Sequence, residues 1–257
     1  MLNVQDENKE PGANINQKEE NNSDSQKWRL TQTEFIKGWV NNNGNWYCYD
    51  PQTGELIKNT TRIDPMMQDP AQYGSLYDFD SEGRASWHLP TFDDLPGGYG
   101  KDAPIPELIG DQRQRTLLLA LSRVGCDYEL LKAPTGFVCD GLTAWCVTNA
   151  TGIRFKENSR DDDQDMSWQY PYIKNKNGIK TDLSQIKAGD LMFWGDPAYI
   201  ENHETYGSRH ASIYYHDGLM IHAASPELGV IIGNLDNDLI GFGSPYDAET
   251  SKVEIPR

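Results

Sequence analysis

Arg209-His210-Ala211-Ser212-Ile213-Tyr214-Tyr215-His216-Asp217-Gly218-Leu219-Met220-Ile221-His222-Ala223-Ala224 holds two runs of alternating character on either side of an Asp-Gly turn signal. Alternation with period two flanking such a signal predicts a β-hairpin. The loop length decides which side chains meet, because a slip of one residue turns every side chain to the other face. If His216, Asp217 and Gly218 form a three-residue loop with Gly218 left-handed, Tyr215 pairs with Leu219, Ser212 stands opposite His222, and His210 lies diagonally beside it. These three then share a face with Tyr214 and Met220, while Ala211, Ile213, Ile221 and Ala223 line the face that packs on helices. A two-residue Asp217-Gly218 turn would put the histidines on opposite faces, so pairing them depends on the longer loop.

Upstream, Pro134-Thr135-Gly136-Phe137-Val138 reads as a loop, and a helix is predicted from about Cys139 to a stop at Thr151-Gly152. Cys139 therefore occupies a helix N-terminus, where unpaired N–H groups and the dipole favour a thiolate and can also hold an oxyanion. Cys146, mid-helix, is expected to be a small core hydrophobe. A nucleophilic thiol needs a base, which makes His210 the candidate base for Cys139 and His222 the neighbour that orients it. His216 in the turn, His203 in a polar loop and His88 in a proline-rich stretch read as solvated or linker residues. The four cysteines lack CxxC spacing, so zinc-ribbon and thioredoxin-type readings have no support. A zinc site from Cys139, His210 and His222 stays open by residue type but lacks closely spaced ligand pairs. Asp161, Asp162, Asp163 and Asp165 lack the glycine and glutamate of a calcium loop, since Met166 and Tyr172 stand there.

Across the 257 residues, 39 acidic against 23 basic side chains give a net charge of −16, which argues against a nucleic-acid backbone as partner. No apolar run approaches the roughly 18 residues of a membrane span, and Met1 to Gln5 carries neither a basic leader nor an apolar stretch. Residues 1–27 are rich in Asn, Gln, Glu and Lys without an aromatic residue, and are expected to be a disordered tail. Residues 28–88 are aromatic and turn-rich, predicting short β-hairpins. Residues 89–110, with Pro90, Pro96, Pro104 and Pro106, read as a linker or long surface loop. A second domain is expected over 111–257, opening with a helix from Asp111 to Gly125 whose Leu117, Leu118, Leu121 and Val124 share a face. The fold class expected is α+β.

Two resemblances add to this reading. Gly38 to Glu55 and Tyr73 to Arg84 share an aromatic strand, an Asp and a turn glycine, and residues 38–86 resemble the choline- or glucan-binding repeats of bacterial wall proteins. That resemblance implies a quaternary-ammonium site among Trp39, Trp46, Tyr47 and Tyr49; a hairpin that simply packs on the next domain is the alternative. Residues 111 to about 235 resemble the NlpC/P60 cysteine peptidases, on Gly125-Cys126-Asp127-Tyr128, Cys139-Asp140-Gly141-Leu142, Lys187-Ala188-Gly189-Asp190-Leu191-Met192-Phe193, His210-Ala211-Ser212-Ile213-Tyr214 and Met220-Ile221-His222-Ala223. The departures are Val138 and Asp140, where the family has Asp before and Ser after the cysteine.

The second resemblance implies a papain-like domain in which Cys139 is the nucleophile, His210 the base and then acid, and His222 the orienting residue. Tyr128, Asp140 and Ser212 then lie near substrate or oxyanion. It further implies cleavage of a peptidoglycan stem-peptide amide near D-glutamate, without metal or organic cofactor, in an extracellular or wall setting. The muramoyl–L-alanine amide, acyl transfer to an amine, and a catalytically idle wall-binding protein are the alternatives. The polar segments 153–180 and 195–209 are expected to shape the cleft.

Overall fold

The computed structural model describes the backbone at residues 2–4 and 15–17 and the chain at 36–66, 74–155, 169–195 and 210–246. Asp161 to Asp165, His203 and most of the two polar segments expected to shape a cleft lie outside the described residues. The chain divides into two compact units, Met1–Ile36 and Lys37–Arg257. In the first, β1 (Leu2–Val4) pairs antiparallel with β2 (Ile15–Gln17), Leu2 opposite Gln17. Composition predicts no order there, whereas the described residues carry a short ladder whose backbone groups satisfy one another regardless of side chain.

The second unit opens with a hairpin of β3 (Gly38–Asn42) and β4 (Asn45–Tyr49). Its turn residues Asn43 and Gly44 have φ of 51° and 86°, the left-handed pair that matches the twist of the flanking strands. A three-stranded sheet follows, from β5 (Thr60–Ile63), β6 (Leu76–Phe79) and β7 (Ala85–Trp87). The internal repeat has a physical counterpart. Asp50 accepts from the N–H groups of Gln52 and Thr53, and Asp80 from those of Glu82 and Arg84, each followed by a left-handed glycine, Gly54 or Gly83. Each aspartate closes the turn after its aromatic strand.

A single-turn 3-10 helix, Phe92–Asp94, capped by Thr91, leads toward α1 (Gln112–Ser122). The cap of α1 does two jobs. Asp111 accepts from the Gln114 N–H, and the Gln114 Oε1 accepts from the Asp111 N–H, the reciprocal box that satisfies orphan helix donors. Gln114 Oε1 also accepts from the Leu76 N–H, its Nε2 donates to the carbonyls of Leu76 and His88, and Asp111 accepts from Ser75 Oγ and Trp87 Nε1. One buried amide thus replaces a strand partner for β6 and joins the hairpins to the helix.

Next come α2 (Cys139–Thr151), ended by Gly152 at φ 79°, and α3 (Gln169–Lys176). The remaining strands are β8 (Leu191–Trp194), β9 (His210–Tyr214), β10 (Leu219–Ser225), β11 (Gly229–Asn234) and β12 (Leu239–Gly243). They form one antiparallel sheet in the order β11-β10-β9-β8-β12. Period-two alternation splits it cleanly. Leu191, Phe193, Ala211, Ile213, Ile221, Ala223 and Val230 share the main core with α1 and α2, and Met192, Trp194, Met220 and Phe242 form a second apolar layer. The class is α+β with aromatic hairpins at the N-terminal side, as expected. Cys48, Tyr77, Phe79 and Trp87 of the hairpins belong to the same apolar cluster as the helices and the sheet.

The Lys187–Asp190 turn is pinned by Arg113, whose guanidinium donates to Asp190 at 2.7 Å and to the Ala188 carbonyl at 3.0 Å beneath the Tyr246 ring. Asp190 then accepts the Tyr214 N–H on its backbone carbonyl, which seats β9 beside β8. Gln114→Leu removes the partner of three buried backbone groups, at about 1–3 kcal/mol each. The expected outcome is a loss of about 3 kcal/mol or more in urea unfolding; a loss under about 1 kcal/mol would show that the hairpins dock without this amide.

Candidate active site

The loop between β9 and β10 settles which side chains converge. The Tyr215 N–H donates to the Leu219 carbonyl, Tyr214 pairs with Met220 and Ile213 with Ile221, the three-residue-loop register. Gly218 has φ 77°, and Asp217 is left-handed as well, at 47°. This register brings His210 Nε2 to 2.8 Å from His222 Nδ1, with the rings edge to face at 79°. One nitrogen must donate and the other accept. If His210 Nε2 carries the hydrogen, its Nδ1 is left as an acceptor.

Cys139 begins α2 with no side-chain cap on Val138, so the first N–H groups of the helix stay available to other acceptors. The sulfur accepts from the Asp140 and Cys139 N–H groups and, across the gap to β9, from the N–H of Ala211, the residue after His210. Thiol, helix terminus and histidine pair therefore belong to one locus.

Electrostatics there depart from the expectation of a ready thiolate. Burial pushes the Cys139 thiol up to about 11, the Asp140 carboxylate adds to the shift, and the three N–H donors only partly offset it. Burial also lowers His210 to about 4, with His222 as the second cause, and burial lowers His222. At neutral pH both members of the Cys139–His210 couple are uncharged. The helix N-terminus acts with the expected sign, but desolvation opposes charge on either group and outweighs it.

The other predicted residues fall in varied places. Asp140 is buried in the first turn, and its carbonyl accepts from Gln169 Nε2 and Thr143 Oγ1. Tyr128 is half-buried against the main core, on a loop closed by the Asp127–Gly136 bridge and tied to β11 through Val230. Ser212 is fully buried in the layer away from the helices, accepting from Trp194 Nε1 at 2.9 Å, so it braces β8 against β9 and does not reach a surface that substrate could touch. Trp39 sits edge-on to Tyr77 at 5.0 Å and stacks on Phe79 at 5.9 Å, with Nε1 donating to Asp64. Trp46 packs partly on the core, and Tyr47 and Tyr49 are half-buried beside Arg84 and Leu56. Among the described residues no three His, Cys, Asp or Glu side chains are grouped to hold a metal ion. No described helix is long and apolar enough to cross a membrane.

Sequence reasoning missed two supports. Gln169 bridges Thr143 and the Asp140 carbonyl, steadying the first turn of α2. Gly233, on β11, leaves room for the His222 ring: a Cβ there would stand 2.7 Å from His222 Nε2. A shallow depression beside Val138 is lined by Leu131, Ala133 and Phe137, with Glu129 and Lys132 among its walls.

On this α+β scaffold a buried thiol at a helix N-terminus lies at one locus with a hydrogen-bonded histidine pair carried by two adjacent strands. The NlpC/P60 family model matches residues 125–241. Protein P54 of Enterococcus faecium is 34% identical over 105 residues, covering 40% of this chain and 16% of that protein. "Probable endopeptidase Mb2213c" of Mycobacterium bovis is 30% identical over 156 residues, 60% of this chain and 33% of that protein. The chain thus spans a third or less of these relatives' lengths. The NlpC/p60 domain of the peptidoglycan hydrolase SagA is 28% identical, covering 51% of this chain and 97% of that one at a TM-score of 0.39.

Gly233→Ala is expected to push His222 off His210, seen as altered ¹⁵N shifts of both imidazoles with unchanged far-UV circular dichroism; unaltered ring signals would mean the ring has slack. Cys139 is the least buried of four buried thiols, so it dominates alkylation of the folded protein. Its iodoacetamide rate is expected to climb with pH toward about 11, whereas a plateau by pH 8 would indicate a preformed thiolate.

Proposed function

We propose that this chain is a peptidoglycan hydrolase that cleaves an amide bond of the cell-wall stem peptide, with Cys139 as nucleophile, His210 as general base and then acid, and His222 as the positioning residue. The observation that carries the reading is that β9 delivers the Ala211 N–H to the Cys139 sulfur and, one residue earlier, His210, itself 2.8 Å from His222. The family match over 125–241 supports it, as does the mycobacterial relative named a probable endopeptidase.

Because thiol and imidazole both start neutral, the proton moves as the sulfur attacks: His210 Nδ1 takes it while the S–C bond forms at the amide carbon. The oxyanion is held by N–H groups of the first turn of α2, which carry the positive end of the helix. His210 then protonates the departing amine as the C–N bond breaks. Water, deprotonated by the same imidazole, attacks the thioester, releases a carboxylate and returns the proton to sulfur. Tyr128 and Asp140 border this path, and no metal or organic cofactor enters it.

Glu129 and Lys132, beside the start of α2, offer one charge of each sign to a substrate carrying both. The proposed bond lies beside D-glutamate within the stem, and the proposed setting is the wall side of the cell. A quaternary-ammonium site is not part of the proposal, because the Trp39 ring is engaged by Tyr77 and Phe79.

Sacculi incubated with the protein are expected to release peptides that mass spectrometry assigns to a D-glutamyl cut. Cys139→Ala should abolish release, and His222→Ala should lower kcat by about 10²-fold or more. Release by Cys139→Ala would remove the mechanism, and fragments ending at muramoyl–alanine would reassign the bond. The acid limb of kcat/KM is expected near pH 4, since His210 must be neutral to accept the proton and loses activity as pH falls through its value of about 4. A limb near 6.5 would mean that the pair is far better solvated than its burial implies.

A further inference from the structure

His88, which reads in sequence as a linker residue, is held on both ring nitrogens by carboxylates. Nδ1 stands 3.0 and 2.9 Å from the two oxygens of Asp78 on β6, and Nε2 stands 3.1 Å from Asp94 at the end of the 3-10 turn. A neutral imidazole has one N–H, so one of these carboxylates would face a lone pair. Only the doubly protonated ring donates to both.

The surroundings hold the two carboxylates in place. Thr61 Oγ1 on β5 donates to Asp78 at 2.6 Å, and the Thr91 N–H donates to Asp94 at 2.8 Å. The His88 backbone is fixed too, its N–H donating to Leu76 and its carbonyl accepting from Gln114 of α1. The groups near the ring are Asp78 from β6, Asp94 from the 3-10 turn and neutral Thr61 from β5. Asp111 of α1 lies one residue away on Trp87, and Arg62 of β5 is paired with Asp50. From the corner between β9 and β10, Tyr215 donates its hydroxyl to the Pro90 carbonyl at 2.9 Å and senses the Asp94 charge.

We infer that His88 is a proton-operated clasp: as an imidazolium it ties residues 88–94 between the N-terminal hairpins and the corner of the strands bearing His210 and His222, and loss of its proton releases that tie. The clasp does not depend on Cys139 being a nucleophile. Burial by itself lowers the basicity of His88, but the hydrogen bonds and charges of Asp78 and Asp94 outweigh it, and the net shift is upward. The sign follows. A folded-state value above the unfolded 6.5 gives stability that is fully present below 6.5 and lost as pH rises through the folded value.

The test uses the full chain with ¹⁵N-labelled histidine, the His88 signal being identified by its loss in His88→Gln. The expected result is two protonated ring nitrogens for His88 at pH 7, and an apparent pKa that falls toward 6.5 in Asp94→Asn. Hydrogen exchange at residues 88–95, corrected for intrinsic rates, should quicken about tenfold or more between pH 6 and 9 in the parent. In His88→Gln it should already be fast at pH 6. A neutral His88 tautomer at pH 7, or equal exchange at both pH values in the parent, overturns the clasp. If His88→Gln fails to fold, the parent's ring signals and Asp94→Asn decide the question.

Discussion

The buried amide of Gln114 is the constraint through which the whole of the larger unit passes. It closes the cap of α1 on Asp111, and the same two polar atoms bond both backbone groups of Leu76 and the carbonyl of His88. The N–H groups of Asp111 and Leu76 and the His88 carbonyl take this amide as partner, and leaving such groups unpaired in the interior is costly. The hairpin strands therefore dock where this side chain can reach them, and α1 in turn fixes the Lys187–Asp190 turn through Arg113. From that turn the Asp190 carbonyl sets the start of the register that places His210.

The site is a contest between desolvation and hydrogen bonding. Burial raises the thiol and lowers the imidazole, disfavouring charge on each. Three N–H donors pull part of the thiol's shift back, whereas His222 adds to the lowering of His210. In the proposed mechanism an uncharged thiol and imidazole suit attack concerted with proton transfer, since the oxyanion donors then act on charge that develops at the substrate. His88 shows the opposite balance. Two carboxylates outweigh burial, and the charged form is the one that fits.

Much of the fold and of the site was legible from local patterns. Period-two alternation at 209–224 predicted the hairpin and its two faces, and the bulged loop at His216 to Gly218 is the one that pairs the histidines. The Cys139 helix, with its glycine stop at Gly152, followed from cap signals. Less legible were properties that depend on distant neighbours. Ser212 was placed on the correct face, yet the sequence has no means of showing that Trp194, on another strand, takes its hydroxyl. Gly233 looks like any strand glycine until the His222 ring is found above it. Repetition around Asp50 and Asp80 marked two similar turns, while the fate of the Trp39 ring rested on Tyr77 and Phe79 from the second copy.

The sequence alone determined the main elements and a set of candidate reactive groups and left two hairpin registers open, because turns, caps and alternation act over a few residues. Tertiary structure decided their charge states and their attachments: the uncharged Cys139–His210 couple, the doubly held His88 and the sewing of the hairpins to α1. Desolvation and buried hydrogen bonding depend on what packs alongside, and in this chain those partners come from residues as far as 125 positions away.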